Sequence, residues 1–410
     1  MVGGPLQPMI LRRPKTWDKI VVSAYNRRGD LIVVTKILCF VFGLMLVSAA
    51  RSIPQIPMES VLSRVAVPSE GDLRGLVDVV GFPRRADQMD FIGKTCEDLE
   101  RNAIKANQKR YALTDTSALV CGVCPHDDYM LAGHVYAHVQ RYMKARTVIL
   151  IGNAHWSETF GIRNQLIFGD FKRWRGPYDP VKVSSAQDTI IAKLPADSYG
   201  INRKLVETEH SLEAEIPYLQ YYNRKVEIIP ILIPFSDWST LDRLGRDLAQ
   251  AVTDIARKNN WRLGTDLAVL CSTDGQHYGD YGWSYYDYHP FGCDADGYRK
   301  ALALDRRMIS GFLVGQASSD RVHGLFSMLV DEGDISRYKV TWCGRFAAPF
   351  GINFALHLAR MMENRNLTRH LMRTGSSLSD PWLPLKEYDL GATSDSNLHH
   401  FVTYFSLGFK

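Results

Sequence analysis

Histidines follow three short apolar segments of the chain at the same relative position. The histidines are His126, His155 and His277, and the segments before them span residues 117–124, 147–152 and 266–272. Ligands of open α/β sheets bind beyond the carboxyl ends of the strands, so strands of this kind would bring the three imidazoles into one crevice. A single histidine there is usually structural. Three together indicate a metal site, because imidazole is the commonest ligand for transition metals.

Two further clusters suit the same crevice. In residues 209–213 (EHSLE), His210 and Glu213 stand three apart at the start of a predicted helix and can share one face. A capping cluster on a solvated helix end is the alternative interpretation, since Ser211 could cap that helix. In the second cluster, Cys343 precedes a turn glycine. It would be an inert buried thiol or, as a thiolate, a ligand for copper, zinc or iron.

Cys121 and Cys124 have the spacing of a thioredoxin-type redox pair. That chemistry needs the first thiol at a helix N-terminus, where the helix dipole lowers its pKa. The surrounding sequence, SALVCGVC, is typical of a strand instead, and residues three apart in a strand point to opposite faces. We therefore predict two buried thiols with no disulfide between them.

Strand-like and helical segments alternate through the body of the chain. Predicted strands cover residues 117–124, 147–152, 226–234 and 266–272, and predicted helices cover residues 92–108, 132–144, 186–194, 211–222, 238–259, 297–314 and 349–363. A last strand is expected at 401–409, and the polar stretch 373–397 is expected to be a long loop. This alternation predicts an α/β fold in which helices flank a mainly parallel sheet.

The first 50 residues have the order of a targeting segment. A basic stretch precedes the apolar run Leu31–Ala50, which closes on small residues as a secretory signal does. An uncleaved anchor is the alternative, and residues 31–50 would then be the expected membrane contact. We therefore expect residues 1–50 to be a signal peptide or signal anchor that places the protein outside the cytoplasm. Residues 51–116 would be a lead-in with one helix, and residues 117–410 would form a single domain.

Composition excludes several classes of protein. The 410 residues are 46% hydrophobic and 23% charged, which is ordinary for a globular chain and excludes a disordered or fibrous one. The net charge of +5 is small for this length, so it gives no electrostatic case for nucleic-acid binding. Seven cysteines are too few for a disulfide scaffold.

Taken in order along the chain, these motifs resemble those of the Memo family, also called AmmeMemoRadiSam system protein B. The fold of that family is similar to that of the class III extradiol ring-cleaving dioxygenases. The resemblance spans about Cys121 to Arg345 and is carried by Pro125-His126 with Tyr129, Gly152-Asn153-Ala154-His155, residues 209–213 with Pro217-Tyr218, Ser272-Thr273-Asp274 with His277, Tyr285-Tyr286, and Cys343-Gly344-Arg345. Each motif is short, and the specificity lies in their ordered combination.

The resemblance implies a three-layer α/β domain with a mainly parallel or mixed central sheet flanked by helices. It also implies a metal site with His126, His155 and Cys343 as the ligands. Iron or copper is the expected metal, with zinc as the alternative. His277, with Asp274 beside it, matches a histidine that serves as acid and base in the dioxygenases.

Some positions match the family without a defined role, and others depart from its pattern. His210 and Glu213 match site residues of the family motif, and the resemblance does not fix what they do. Asp127 and Asp128 replace the small Ala-Gly that usually follows the first ligand, and Trp156 replaces a second histidine. These departures indicate a substrate that differs from that of typical members.

Three functions are compatible with these residues. The first is a metal-dependent redox enzyme that would use iron or copper and act on a small-molecule or peptide ligand. The second is a protein that binds a peptide or an anion in the same crevice without turnover, with Arg345 pairing with a phosphate or carboxylate. The third is a zinc hydrolase in which Asp274 or Glu213 acts as general base.

Overall fold

The structure is a computed structural model that describes residues 57–280, 287–313 and 315–410. The predicted targeting segment, the pair Tyr285-Tyr286 and the end of the predicted helix 297–314 lie outside these residues. Within the described ranges, no helix is both long enough and apolar enough to cross a membrane.

A mixed sheet occupies the centre of the described part of the chain and contains thirteen of its strands. The strands along the chain are β1 (Leu73–Arg74), β2 (Cys121–Cys124), β3 (Thr147–Asn153), β4 (Leu166–Phe168), β5 (Arg173–Trp174), β6 (Val181–Val183), β7 (Tyr199–Ile201), β8 (Glu227–Ile233), β9 (Leu267–Ser272), β10 (His277–Gly279), β11 (Gly315–Gln316), β12 (Val330–Asp331), β13 (Asp334–Tyr338), β14 (Thr368–Ser376) and β15 (His400–Phe409).

The middle of this sheet is parallel and one end of it is antiparallel. The order is β1-β5-β6-β8-β3-β9-β2-β15-β14-β11, with β10 paired to β15, β4 to β8 and β7 to β4. Strands β6, β8, β3, β9 and β2 are parallel neighbours. Strands β15, β14 and β11 continue the sheet in antiparallel pairings, while β12 and β13 form a separate antiparallel pair.

Helices connect and cover the strands. They are α1 (Met58–Leu62), α2 (Ala86–Leu99), α3 (Arg101–Tyr111), α4 (Tyr129–Gln140), α5 (Ala186–Ile191), α6 (Arg203–Thr208), α7 (Ile216–Tyr222), α8 (Trp238–Lys258), α9 (Ala295–Phe312), α10 (Ser319–Leu329) and α11 (Ala347–Glu363). Two short 3₁₀ turns, Glu213–Glu215 and Lys386–Tyr388, complete the described helical segments.

The sheet separates two apolar clusters, each covered by helices. Along β3, Ile149 and Ile151 join the cluster of α8, α9, α10 and α11, whereas Val148 and Leu150 join the cluster of α2, α4 and α7. Strands β3, β8 and β9 are accordingly almost continuous runs of buried apolar residues, as parallel strands covered on both faces require. The predicted fold class, an α/β domain with helices flanking a mainly parallel to mixed sheet, is therefore confirmed.

Some boundaries differ from the prediction for identifiable reasons. The predicted loop 373–397 is wrong at its start, because residues 373–376 pair with β15 and end strand β14. The predicted helix 92–108 is two helices, which meet at Glu100. The predicted helix 211–222 begins as a 3₁₀ turn, and its α-helical part starts at Ile216, next to Pro217. Proline is well suited to the first turn of a helix, where no backbone donor is needed.

Candidate metal centre

A cavity of about 390 Å³ lies at the carboxyl ends of β2, β3 and β9. These strands are neighbours in the sheet, so the residues that follow them come together there. The cavity is lined by Arg64, Asp78, Phe82, His126, Asp127, Asp128, His155, Trp156, His210, Asp274, His277, Tyr338, Thr341, Cys343, Thr393 and Ser394. Of the site residues predicted from the sequence, Glu213 and Arg345 are not part of this lining.

His126 is held in one orientation between β2 and α4. Its ring is 2% exposed, and its Nδ1 lies 2.9 Å from the Ser272 Oγ. Ser272 donates its hydroxyl proton to the Ser211 carbonyl over 2.6 Å, so His126 Nδ1 must be the donor and its Nε2 carries the lone pair. Burial lowers the pKa of His126 to about 3, although Asp274 acts to raise it. The ring is therefore neutral.

His155 follows β3 and is held by Glu209. One Glu209 oxygen accepts from the His155 Nδ1 and the other from its backbone N–H, both over 2.8 Å. A carboxylate only accepts hydrogen bonds, so Nδ1 is protonated and Nε2 is the nitrogen left for a metal. This is the carboxylate–histidine arrangement that commonly supports metal ligands. Burial acts to lower the pKa of His155, but Glu209 outweighs it and holds that pKa above its ordinary value.

Cys343 supplies a sulfur atom beside these rings. Its Sγ lies 3.1 Å from the His126 Nε2 and accepts from the Asp274 backbone N–H over 3.2 Å. The next residue must be small, because a Cβ on Gly344 would lie 2.4 Å from the Thr273 Oγ1. Burial raises the pKa of the Cys343 thiol well above its ordinary value, and Asp274 adds to this effect. A thiolate at this position therefore needs a nearby cation to stabilise it.

The structure brings His126, His155 and Cys343 into one group whose ligand atoms all lie within 4.8 Å of one another. Metal–nitrogen and metal–sulfur bonds of about 2.0–2.3 Å would need only a small contraction of this group. Two nitrogens with free lone pairs and one sulfur make a donor set that suits iron, copper or zinc. The residues present therefore fit a transition metal.

Asp274 and His277 lie beside this group. The Asp274 Oδ1 accepts from the His126 backbone N–H over 2.9 Å, and its Oδ2 lies 3.6 Å from the His277 Nε2. Burial acts to raise the pKa of Asp274, but His126 and His277 outweigh it, so the carboxyl is ionised. His277 is the first residue of β10, and its side chain is 23% exposed to the cavity.

His210 and Glu213 lie in different positions relative to the cavity. His210 lines the cavity, and its ring stacks on His155 with centroids 4.7 Å apart. Glu213 instead forms a buried ion pair with Arg74 over 2.6 Å and accepts from the backbone N–H groups of Val77 and Asp78. Its contacts connect β1 and the segment after it to the 3₁₀ turn, so they hold the cavity wall together from outside.

Sequence reasoning did not assign roles to several residues that shape the site. Glu209 had a usable signal, since it directly precedes His210 in the predicted motif. Arg74 had none, because it lies in a two-residue strand. Its Nε donates to the Val206 carbonyl over 2.9 Å and its Nη2 to the Glu209 carbonyl, so it fixes the backbone that carries Glu209. The lead-in also contributes Arg64 to the cavity.

Three residues that depart from the family pattern, Asp127, Asp128 and Trp156, lie on the cavity wall. Tyr404 donates its hydroxyl to the Asp127 Oδ2 over 2.6 Å, and the Thr393 Oγ1 donates to the Asp128 Oδ2 over 3.0 Å. Trp156 is half-buried, with the Arg64 guanidinium 4.9 Å from its ring centroid. Asp128 and Trp156 therefore contact other residues of the cavity lining, whereas Asp127 contacts Tyr404 behind it.

Comparison with known proteins gives a consistent assignment. A curated MEMO1 family protein of Thermococcus onnurineus (strain NA1) is 26% identical over 255 residues, which cover 59% of this chain and 76% of that protein. One from Pyrococcus furiosus is 27% identical over 285 residues, which cover 67% and 84%. Among solved structures, an uncharacterized Escherichia coli K12 protein shares 11% identity over 70% of this chain and 98% of its own, with a TM-score of 0.36, too low to support any argument.

A family model described as Memo-like protein matches residues 94–369. That match covers more than half of the chain and includes each of the three candidate metal ligands. The motifs, the α/β architecture and the family match therefore agree, and the chain belongs to the Memo family.

Proposed function

We propose that this protein is a metal-dependent oxidoreductase that holds iron or copper with His126, His155 and Cys343. The observation that carries the proposal is the fixed orientation of both imidazoles. Ser272 and Glu209 each accept from Nδ1, so Nε2 of each ring is left for a metal, and one nitrogen of each ring lies within 4.8 Å of the Cys343 sulfur. A site prepared in this way for a metal is a built feature of the fold.

The donor set and the cavity favour redox chemistry over a closed structural site. Three protein ligands leave coordination positions open, which catalytic metal sites keep and structural ones do not. A bound iron or copper ion would supply one-electron redox chemistry and Lewis acidity. The cavity of about 390 Å³ on the open side has room for a small molecule or the end of a peptide.

His277 is the candidate acid and base of this reaction. Its Nε2 lies 3.6 Å from the ionised Asp274 carboxyl, which would orient the ring. Its partial exposure to the cavity would let it exchange a proton with a bound substrate. His210, stacked on His155, would limit the position of that substrate on the opposite side.

The contacts of Glu213 do not support the zinc-hydrolase alternative. A general base must reach the water or substrate proton that it removes. Glu213 is occupied by Arg74 and lies outside the cavity lining. Asp274, the other carboxyl that the sequence suggested for that role, already accepts from the His126 backbone N–H.

The experiment is metal analysis of protein purified without added metal, followed by loading of the metal-free protein with Fe(II) or Cu(II). The wild-type chain should hold about one redox metal at this centre and show visible charge transfer from a cysteine thiolate. Cys343→Ser should lose that band, and dioxygen uptake with a reductant should fall with it. Cys96→Ser is the matched control, because Cys96 is also buried but lies in the cluster on α2.

Two results would contradict the proposal. The first is a Cys343→Ser protein with the same metal content, absorption band and dioxygen uptake as the wild type. The second is a wild-type protein that holds only zinc and hydrolyses a test ester without redox activity. Metal binding with no turnover in any assay would favour the non-catalytic binding protein instead.

A further inference from the structure

A second group of metal-ligating side chains lies outside the cavity. Asp280 directly follows β10, Cys293 lies two residues before α9, and His399 directly precedes β15. Their ligand atoms all lie within 4.8 Å of one another, and none of the three residues lines the cavity. Three separate chain segments thus bring a carboxylate, a thiol and an imidazole to one point.

We propose that Asp280, Cys293 and His399 form a second metal site, whose ligand is a divalent first-row cation of the zinc class. One thiolate, one imidazole and one carboxylate are a donor set typical of zinc, which is bound tetrahedrally and can take water as its fourth ligand. This site shares no residue with the cavity, so the inference is independent of the proposed function.

The backbone holds two of the donors together. Gly279 has φ +143°, and a Cβ there would lie 1.9 Å from the His399 carbonyl oxygen, so this close approach requires glycine. Gly279 also pairs with His400 in the register of β10 and β15. The side chains that follow are therefore adjacent, and the Asp280 Oδ1 lies 2.7 Å from the His399 Nδ1.

The Cys293 thiol adds a third possible metal ligand to the aspartate–histidine pair. Burial raises the pKa of Cys293, and the facing Asp280 carboxyl raises it further, so without a metal the thiol keeps its proton. A divalent cation would displace that proton and bind the thiolate, the carboxylate and one imidazole nitrogen, and the imidazole proton would stay on the other nitrogen. The result replaces a carboxylate–thiol contact with three metal bonds.

The position of the site gives it a structural consequence. The side chains of Asp280 and His399 are 41% and 59% exposed, so a cation can enter from solvent and keep a water molecule. A metal there would tie the end of β10 to the start of β15 and to the segment before α9. Because β10 begins at His277, the same metal would stabilise the strand that carries a cavity residue.

Cobalt(II) is the first probe, and it is used in the Cys343→Ser chain, which lacks the thiolate of the first centre. The other described cysteines have 0% exposure apart from Cys293, so among the described cysteines of this variant Cys293 is the one that cobalt can reach from solvent. Adding Cys293→Ser should remove the band. Adding His399→Ala should weaken cobalt binding by at least about tenfold. Loss of a residue that only supports a ligand already weakens metal binding by about that factor.

The matched control is His323→Ala, which removes an exposed histidine that pairs with Glu332 over 3.2 Å elsewhere. That variant should keep both the band and the affinity. A band that survives Cys293→Ser, or an affinity unchanged by His399→Ala, overturns the proposal and leaves a hydrogen-bonded aspartate–histidine pair beside a thiol.

A second measurement uses the wild-type chain with no substitution. Zinc(II) should slow alkylation of Cys293 by iodoacetamide at least about tenfold, because a metal-bound thiolate is shielded from the reagent. His399→Ala should abolish this protection. Equal alkylation rates with and without zinc would also overturn the proposal.

Discussion

Replacement of Glu209 by glutamine tests the candidate metal centre through a residue that is not one of its three candidate ligands. Glu209 is 1% exposed and accepts from the His155 Nδ1, the His155 backbone N–H and the Ser211 backbone N–H over 2.8, 2.8 and 3.0 Å. Glu209→Gln keeps the size of the side chain but replaces one acceptor oxygen with an NH₂ donor. At least one of these three N–H groups must then face another donor.

Each orientation of the new amide has a defined effect. If the oxygen faces the imidazole, the NH₂ meets the His155 backbone N–H, and a buried unsatisfied donor costs about 1–3 kcal/mol of stability. If the NH₂ faces the imidazole, Nδ1 must give up its proton, and Nε2 carries it instead and cannot bind a metal. Loss of such a support typically weakens metal binding by about 10–100-fold. That corresponds to about 1.4–2.8 kcal/mol.

The assay is a competition titration of the metal-free protein against a chromophoric chelator, with thermal unfolding measured in parallel. The control is Glu100→Gln, because Glu100 is also a buried carboxylate that accepts from a histidine, His138, over 2.9 Å. That variant should lose stability and keep its metal affinity. If Glu209→Gln binds metal within about twofold of the wild type, or if Glu100→Gln weakens binding equally, the orientation argument for His155 is refuted.

Three other predictions concern separate parts of the molecule. His277→Ala should keep its metal content and lower turnover by about 10²-fold or more, because proton transfer is lost while the ligands remain; loss of the metal would make His277 a ligand. Peptide mapping of unfolded, non-reduced protein should find no Cys121–Cys124 disulfide, because the two side chains join apolar clusters on opposite faces of the sheet; a bridged peptide would contradict the strand argument. Urea unfolding should show stability falling as the pH drops below about 6.5. Burial lowers the pKa of His138. Burial acts to raise the pKa of Glu100, but the hydrogen bonds that Glu100 accepts outweigh it and hold that pKa well below its ordinary value. Because both pKa values are lower in the folded chain, the unfolded chain binds more protons at acid pH. Glu100→Gln should flatten this dependence below about pH 4.3, where Glu100 titrates in the unfolded chain, and an equally steep dependence in that range would refute the assignment.

The parallel centre of the fold could be predicted because its signal is local. Strands β3, β8 and β9 are buried on both faces, so each is an apolar run that stands out from its neighbours. The residues just after such strands share one edge of the sheet, which is why His126 and His155 could be placed in one crevice from their positions alone. Strand β14 was missed because its two ends are polar and its pairing with β15 is antiparallel and long-range in the chain.

The roles of Glu213 and Arg74 could not be predicted because they depend on a contact between distant segments. From the sequence, Glu213 stands beside His210 on what looks like one helix face. In the structure, a 3₁₀ turn begins at that residue, and Arg74 draws its carboxylate away from the cavity. Arg74 itself lies in the lead-in, where the short strand β1 gives no periodic pattern. A buried ion pair of this kind requires both partners in place, and the sequence shows only each one alone.

The residues that match the family pattern and three of those that depart from it lie in different parts of the site. The candidate ligands His126 and His155 follow the ends of central strands, and their supports, Ser272 and Glu209, accept hydrogen bonds from the two rings. Asp127 and Trp156 lie on the wall, where Tyr404 and the lead-in residue Arg64 contact them. The wall residues determine the shape and charge that a substrate meets, while the candidate ligands and their supports determine the metal. A chain can therefore change its substrate through wall residues and keep its metal chemistry. The lead-in therefore contributes to substrate specificity. Substitutions at Arg64 should change substrate choice more than they change metal binding.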